Sequence, residues 1–405
     1  MSETVAWLRT PAAIRARCFL LLALAERDGL EHFALATDRL PACADYVAET
    51  IRANYPDLAV PYHSRWRHFA AGGVDRWGEL AEGLEGVGPQ EVARIRFDLA
   101  VTSVLLDAGA GPDWRYRAED GRVCVRSEGL AVASFEAFAA GAFSADADAS
   151  LRADAAALAA FDAGTLAGLF QVGPDNPLVG LDGRAGLLRR LSQRVAGAPE
   201  WFGKPGRIGH LFDALVARAG RGPLPAANVL SAVLDSLGPV WPGRVVADGV
   251  NLGDVGRHQL AVDDHPVPGL VPFHKLSQWL TYSLLEPLED AGIEVTGLDA
   301  LTGLPEYRNG GLLLDTGVLV PKHAAVVDQA HAPDSEIVVE WRALTVALLD
   351  RLADQVRDRL GLDAQAFPLA KVLEGGTWAA GRQIAAELRP GGAPPIRLES
   401  DGTIF

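Results

Sequence analysis

The chain has 405 residues, 49% hydrophobic and 22% charged, a balance that belongs to a folded globular protein and excludes global disorder. Its 37 basic and 52 acidic side chains leave a formal net charge of −15, spread along the chain, which disfavours nucleic acid and anionic membrane as partners. Cys18, Cys43 and Cys124 are too few and too far apart for a disulfide framework, no Cys-x-x-Cys occurs, and a cytoplasmic location is expected.

Helix signals dominate. Thr10 and Pro11 form a cap and a first-turn proline and open a helix to about Arg27. Within it, Leu20-Leu21-Leu22-Ala23-Leu24-Ala25 is too short to span a bilayer, lacks a signal-peptide start, and reads as a buried face. Pro41 opens a second helix to about Ala53. Pro89 opens a third to Asp107, apolar on more than one face and ended by Gly109-Ala110-Gly111-Pro112. The segments 114–117 and 122–125 alternate around Asp120-Gly121 and predict a hairpin. Further helices are predicted at 127–140, 150–160, 184–196, 207–219 and 225–237, with Gly- and Pro-rich loops at 172–183, 238–256 and 262–272.

Val271-Pro272-Phe273-His274-Lys275 opens a helix to about Asp290, with Phe273, Leu276, Leu280, Leu284 and Leu288 as its core stripe. Lys275 lies off that stripe, with Trp279 and Tyr282 on the following turns, so it is expected to be partly enclosed. A first-turn lysine opposes the helix dipole but suits an anion, which gains the ammonium and the free main-chain N–H groups together. Next, Leu301 to Gly311 sets a carboxylate, a phenol and a guanidinium side by side. Pro305 suits the first helical position and Glu306 the first turn. Asn309-Gly310 reads as a turn, and 312–320 as a second hairpin behind it. Asp334-Ser335-Glu336 then caps a helix to about Leu360, apolar on two faces in its first half. Glu340 and Arg342 lie in that half. They are two residues apart and cannot face one another, so each needs a partner on another element. With strand–helix alternation absent, a parallel sheet is disfavoured. The expectation is one mainly α-helical domain over 1–405 with two small hairpins.

Tyr62 to Phe69 is the one basic, aromatic run. It suits a phosphate or a planar group, or equally a helix start whose arginines pair with the chain's own carboxylates. Gly375-Gly376-Thr377, before a helix bearing Arg382, and Lys204-Pro205-Gly206-Arg207 are weaker anion-site candidates, and neither is a phosphate loop. His258, Asp263, Asp264 and His265 come nearest to metal ligands, and no metal or cofactor is expected. No Gly-x-Ser-x-Gly elbow occurs.

Taken together, several segments resemble the uracil-catabolism protein family of fungi and bacteria, long catalogued as a domain of unknown function. They are Tyr62 to Phe69, Pro272-Phe273-His274-Lys275, Leu301 to Gly311, Val339-Glu340-Trp341-Arg342, Gly375-Gly376-Thr377-Trp378 and the ending Asp401-Gly402-Thr403-Ile404-Phe405. The resemblance spans nearly the whole chain. It implies a role in a pathway that converts uracil to its ribonucleotide, opens the ring and frees urea. The order Phe273-His274-Lys275, Pro305-Glu306-Tyr307-Arg308, Glu340-Trp341-Arg342 is also similar to the queuosine-nucleotide glycosidase (queuosine salvage) family. That family is helical, resembles DNA glycosylases and hydrolyses an N-glycosidic bond of a ribose 5′-phosphate. This second resemblance implies Lys275 as phosphate ligand, Glu306 in place of a catalytic aspartate, and Tyr307 and Arg308 beside it.

The expected activity is therefore N-glycoside hydrolysis of a ring-opened uracil ribonucleotide such as ribosylurea 5′-phosphate. Glu306 would face the oxocarbenium-like centre and Glu340, in apolar surroundings, would be the second acid. His274, Lys275, Tyr307, Arg308, Arg342, Arg65, Trp66, Asp113 and Trp114 are the candidate substrate contacts. A non-catalytic binder of the same pathway and an amide hydrolase acting on the ureido group are the alternatives.

Overall fold

Thr10 accepts from the main-chain N–H of Ala13 at 3.1 Å and, with Pro11 behind it, starts the helix Pro11–Ala25 where the sequence places it. A computed structural model describes residues 2–243, 245–265 and 267–399. The ending 401–405 quoted for the family resemblance lies outside the described residues. The chain is mainly α-helical, and its strands are two- and three-residue pairs. It divides into two compact units, each assembled from segments distant in sequence.

The first unit takes Met1–His63, Gly243–Gln278 and Gly297–Glu399. Its axis is the helix Glu336–Leu360, which packs against Pro11–Ala25 and Leu40–Asn54. From Val338 to Leu349 every residue of that helix is buried; beyond Asp350 only one face is, as the loss of the second apolar face predicts. Ser335 holds the N-cap position, but its side chain makes no capping bond, contrary to the expected cap. At the other end Gly361, at φ +70°, supplies the left-handed residue that stops the helix. Two antiparallel pairs bind this unit's segments: Phe33–Leu35 with Leu319–Pro321, and Val255–Arg257 with Leu270–Pro272.

The expected hairpin at 312–320 does not form. Tyr307–Asp315 is one helix, so Asn309 and Gly310 lie within it instead of turning the chain, and only Leu319–Pro321 is strand, paired to a distant segment. The reason is tertiary. Gly310 lies under the indole of Trp341, whose Nε1 donates to its carbonyl at 3.1 Å; a Cβ there would fall 2.7 Å from the ring. Asn309 gives its side-chain amide to the Leu304 carbonyl at 3.0 Å and accepts from Thr377 Oγ1 at 2.8 Å.

The second unit takes Ser64–Pro242 and Trp279–Thr296. It holds the helices Pro89–Leu105, Arg126–Ala139, Leu181–Gly197, His210–Ala219 and Ala226–Leu237, close to the predicted bounds; the run predicted at 150–160 shrinks to Ala155–Ala159. The hairpin around Asp120-Gly121 is present, Arg115–Arg117 pairing with Val123–Val125. Among the described residues no helix is long and apolar enough to cross a membrane.

Candidate functional site

Three sequence segments singled out above meet in the first unit on a residue the sequence did not suggest, Asp254. Its carboxylate takes both terminal nitrogens of Arg342, at 2.8 and 2.7 Å, and the main-chain N–H of Lys275 at 2.9 Å. Its carbonyl accepts from the N–H groups of Phe273 and His274 at 3.0 and 3.1 Å, so one loop residue sets the start of the helix Lys275–Asp290. The Arg342 guanidinium lies 4.1 Å above the Phe273 ring, and its Nε donates to the Pro305 carbonyl at 3.3 Å. Burial pushes the Asp254 carboxyl up, but the charge of Arg342, its hydrogen bonds and the Lys275 N–H outweigh that and hold it below the ordinary carboxylate range. Asp254 is thus an anion whose charge Arg342 balances, beside half-buried Lys275.

His274, buried and in the left-handed region at φ +49°, donates Nε2–H to the Leu8 carbonyl at 2.9 Å. Burial holds its imidazole below the ordinary histidine value, so it is neutral near pH 7. The helix begins at Lys275 itself and not at Pro272. The Lys275 main-chain N–H, expected to be open to an anion, is spent on Asp254.

Glu306 stands one step earlier than expected: it is the N-cap of Tyr307–Asp315, and Pro305 precedes the helix. Its two oxygens accept from the N–H groups of Arg308 and Asn309 at 2.8 and 2.6 Å, and the residue is 8% exposed. A carboxylate has about four acceptor positions, so two remain for a ligand. The Arg308 guanidinium lies 4.9 Å from the Tyr307 ring and donates to the Gly392 carbonyl at 2.8 Å.

Glu340 and Arg342 do find partners on separate elements. Fully buried Glu340 accepts at Oε1 from the N–H groups of His32 and Phe33, at 3.1 and 2.8 Å, and pairs through Oε2 with His258 Nε2 at 3.3 Å. The Leu260 N–H donates to His258 Nδ1 at 3.2 Å, so Nε2 carries the proton given to Glu340. Of the remaining residues weighed as metal ligands, Asp263 pairs with Arg17 at 2.6 Å and with His265 at 3.1 Å. Among the described residues no group of three or more His, Cys, Asp or Glu is disposed around a metal position.

Arg65, Trp66, Asp113 and Trp114 belong to the second unit. Fully buried Arg65 pairs with Asp107 and donates Nε–H to Ser103 Oγ at 2.7 Å, while Arg67 pairs with Glu286 at 2.8 Å. Trp66 gives its indole N–H to the Ser283 carbonyl at 2.7 Å under the Arg96 guanidinium, 4.3 Å away. Trp114 is buried with its N–H on the Phe170 carbonyl at 3.0 Å, and Asp113 is exposed. The basic run thus pairs with the chain's own carboxylates. Arg207 likewise pairs with Glu91 at 2.6 Å and Asp98 at 2.7 Å.

The profile of a family described as "Protein of unknown function (DUF1688)" matches residues 7–405. A Schizosaccharomyces pombe protein named Protein urg3 is 40% identical over 413 aligned residues, covering 100% of both chains. A Lachancea kluyveri protein named Uracil catabolism protein 4 is 38% identical over 414, covering 94% of each. The chain belongs to the DUF1688 family, which includes these fungal proteins and is the family its motifs resemble.

Proposed function

We propose that the protein acts in uracil catabolism as an N-glycoside hydrolase that splits a ring-opened uracil ribonucleotide, such as ribosylurea 5′-phosphate, into ribose 5-phosphate and urea or a ureido compound. The name of the Lachancea kluyveri relative supports the pathway. The reaction rests on one observation: the Asp254–Arg342 pair ties the first N–H of the Lys275 helix to the carbonyl immediately before Glu306. A cation for a phosphate and a carboxylate for an electron-poor carbon are thereby fixed to one scaffold.

In this reading Lys275 holds the 5′-phosphate, and binding energy from that remote group positions C1′. Glu306, pinned by two N–H bonds, faces C1′ as positive charge develops there and receives a proton from the attacking water. Tyr307 and Arg308 flank it. Glu340 is the second carboxylate, and its three bonds to His32, Phe33 and His258 suit it to fixing the Phe33–Leu35 strand as well as to chemistry. One observation favours a second reading, a binder without turnover: both Glu306 oxygens already serve as the helix cap.

Release of reducing sugar phosphate from synthetic ribosylurea 5′-phosphate separates the two. Lys275→Ala should raise KM at least tenfold while sparing the fold; an unchanged KM removes Lys275 from the phosphate site.

A further inference from the structure

His63, at the start of the basic, aromatic run, and Gly375-Gly376-Thr377 have no role in the reading above and are brought together within the first unit. Residues Val372–Trp378 wind as a π-helix, a rare wide turn met mostly at functional sites. Its two glycines let it press on the 47–60 segment: a Cβ on Gly375 would lie 2.9 Å from Val60 Cγ1, and one on Gly376 2.8 Å from Val47 Cγ1. The contact with Val60 sets the following residues beside the π-turn. The His63 N–H donates to the Ala370 carbonyl at 2.9 Å, and His63 Nδ1 meets Glu374 Oε2 at 2.7 Å. The Trp378 ring lies 5.6 Å from the imidazole, tilted 45° to it. His63 is 3% and Glu374 9% exposed.

This dyad is joined to Glu306. Thr377, three residues after Glu374, donates to Asn309 Oδ1 at 2.8 Å, and the Asn309 N–H is one of the two that hold the Glu306 carboxylate, at 2.6 Å. A carboxylate can only accept, so His63 Nδ1 carries a proton. The charge of Glu374 balances the imidazolium when both nitrogens are protonated.

We propose that His63 is the general acid of the reaction and Glu374 its positioning residue. The proposal rests on the N-glycosidase reading. As the C1′–N bond breaks, its electron pair goes to the departing nitrogen, which takes the proton from His63 Nε2. Water adds to C1′ and yields its proton to Glu306, and exchange with solvent resets both groups.

The test compares ribosylurea 5′-phosphate, whose nitrogen must be protonated to leave, with p-nitrophenyl riboside 5-phosphate, whose phenolate leaves unaided. His63→Asn should lower kcat on the first about 10²-fold or more and on the second less than threefold. Glu374→Gln, whose carbonyl can still accept from Nδ1–H, should show the same selectivity with a loss of about tenfold. Glu306→Gln should depress both substrates alike. Equal losses on the two substrates in both dyad variants would overturn the assignment to His63 and leave the N-glycosidase reading intact. If the wild-type protein cleaves neither substrate, that reading falls, and the proposal falls with it.

Discussion

Asp254 shows what a sequence hides at the scale of one residue. An aspartate in a Gly-rich loop carries no periodic or motif signal, yet it organises His274, Lys275, Arg342 and Pro305 around it. The burial of Glu340 and Arg342 was legible, because a double apolar face reports on the residues between its stripes; the identity of their side-chain partners, His258 and Asp254, was not, because those lie more than 80 positions away. His274 carries a prediction of its own. Burial lowers its folded value below that of the unfolded chain, so the folded state prefers the neutral ring. That contribution to stability is complete above the unfolded value of about 6.5 and is lost as the pH falls below it, because the unfolded chain then binds the proton more tightly. His274→Asn, which tolerates the left-handed backbone at φ +49°, should cost about 1 kcal/mol at neutral pH through the lost bond to Leu8. It should also remove part of the fall in Tm below pH 6.5. Parallel Tm–pH curves for wild type and variant would contradict this.

At the scale of elements, local chemistry was readable where the residues act on their own backbone. Thr10-Pro11 and the Asp120-Gly121 hairpin are such cases. It misled where tertiary contacts took over. Asn309-Gly310 has the composition of a turn, but the asparagine amide is claimed by Leu304 and Thr377, and the missing Cβ of the glycine makes room for Trp341. The same close approach recurs between Tyr307–Asp315 and Ala379–Leu388. A Cβ on Gly381 would lie 2.3 Å from the Arg308 carbonyl oxygen, a main-chain atom that cannot swing away. Gly381→Ala should therefore destabilise the protein by about 1–3 kcal/mol, read as a lower urea midpoint at unchanged m value. Because the displaced backbone adjoins Glu306, turnover should fall as well. A variant as stable as wild type would mean that these helices can part freely.

For the whole molecule, the mainly helical class was legible from caps and helical periodicity, and the net charge of −15 from composition. The division into two units was not. Each unit is stitched from distant segments, so no linker or change of composition marks it along the chain. Family membership fixes the relatives, and the proposed chemistry turns on which bond breaks. The most direct measurement is product analysis of ribosylurea 5′-phosphate incubated with the purified full chain. The account predicts intact urea and reducing ribose 5-phosphate in equal amounts, formed by wild type and slowed by several orders of magnitude in Glu306→Gln with substrate binding retained. Ammonia and carbon dioxide in place of urea, or tight binding of the substrate without any turnover, would contradict it.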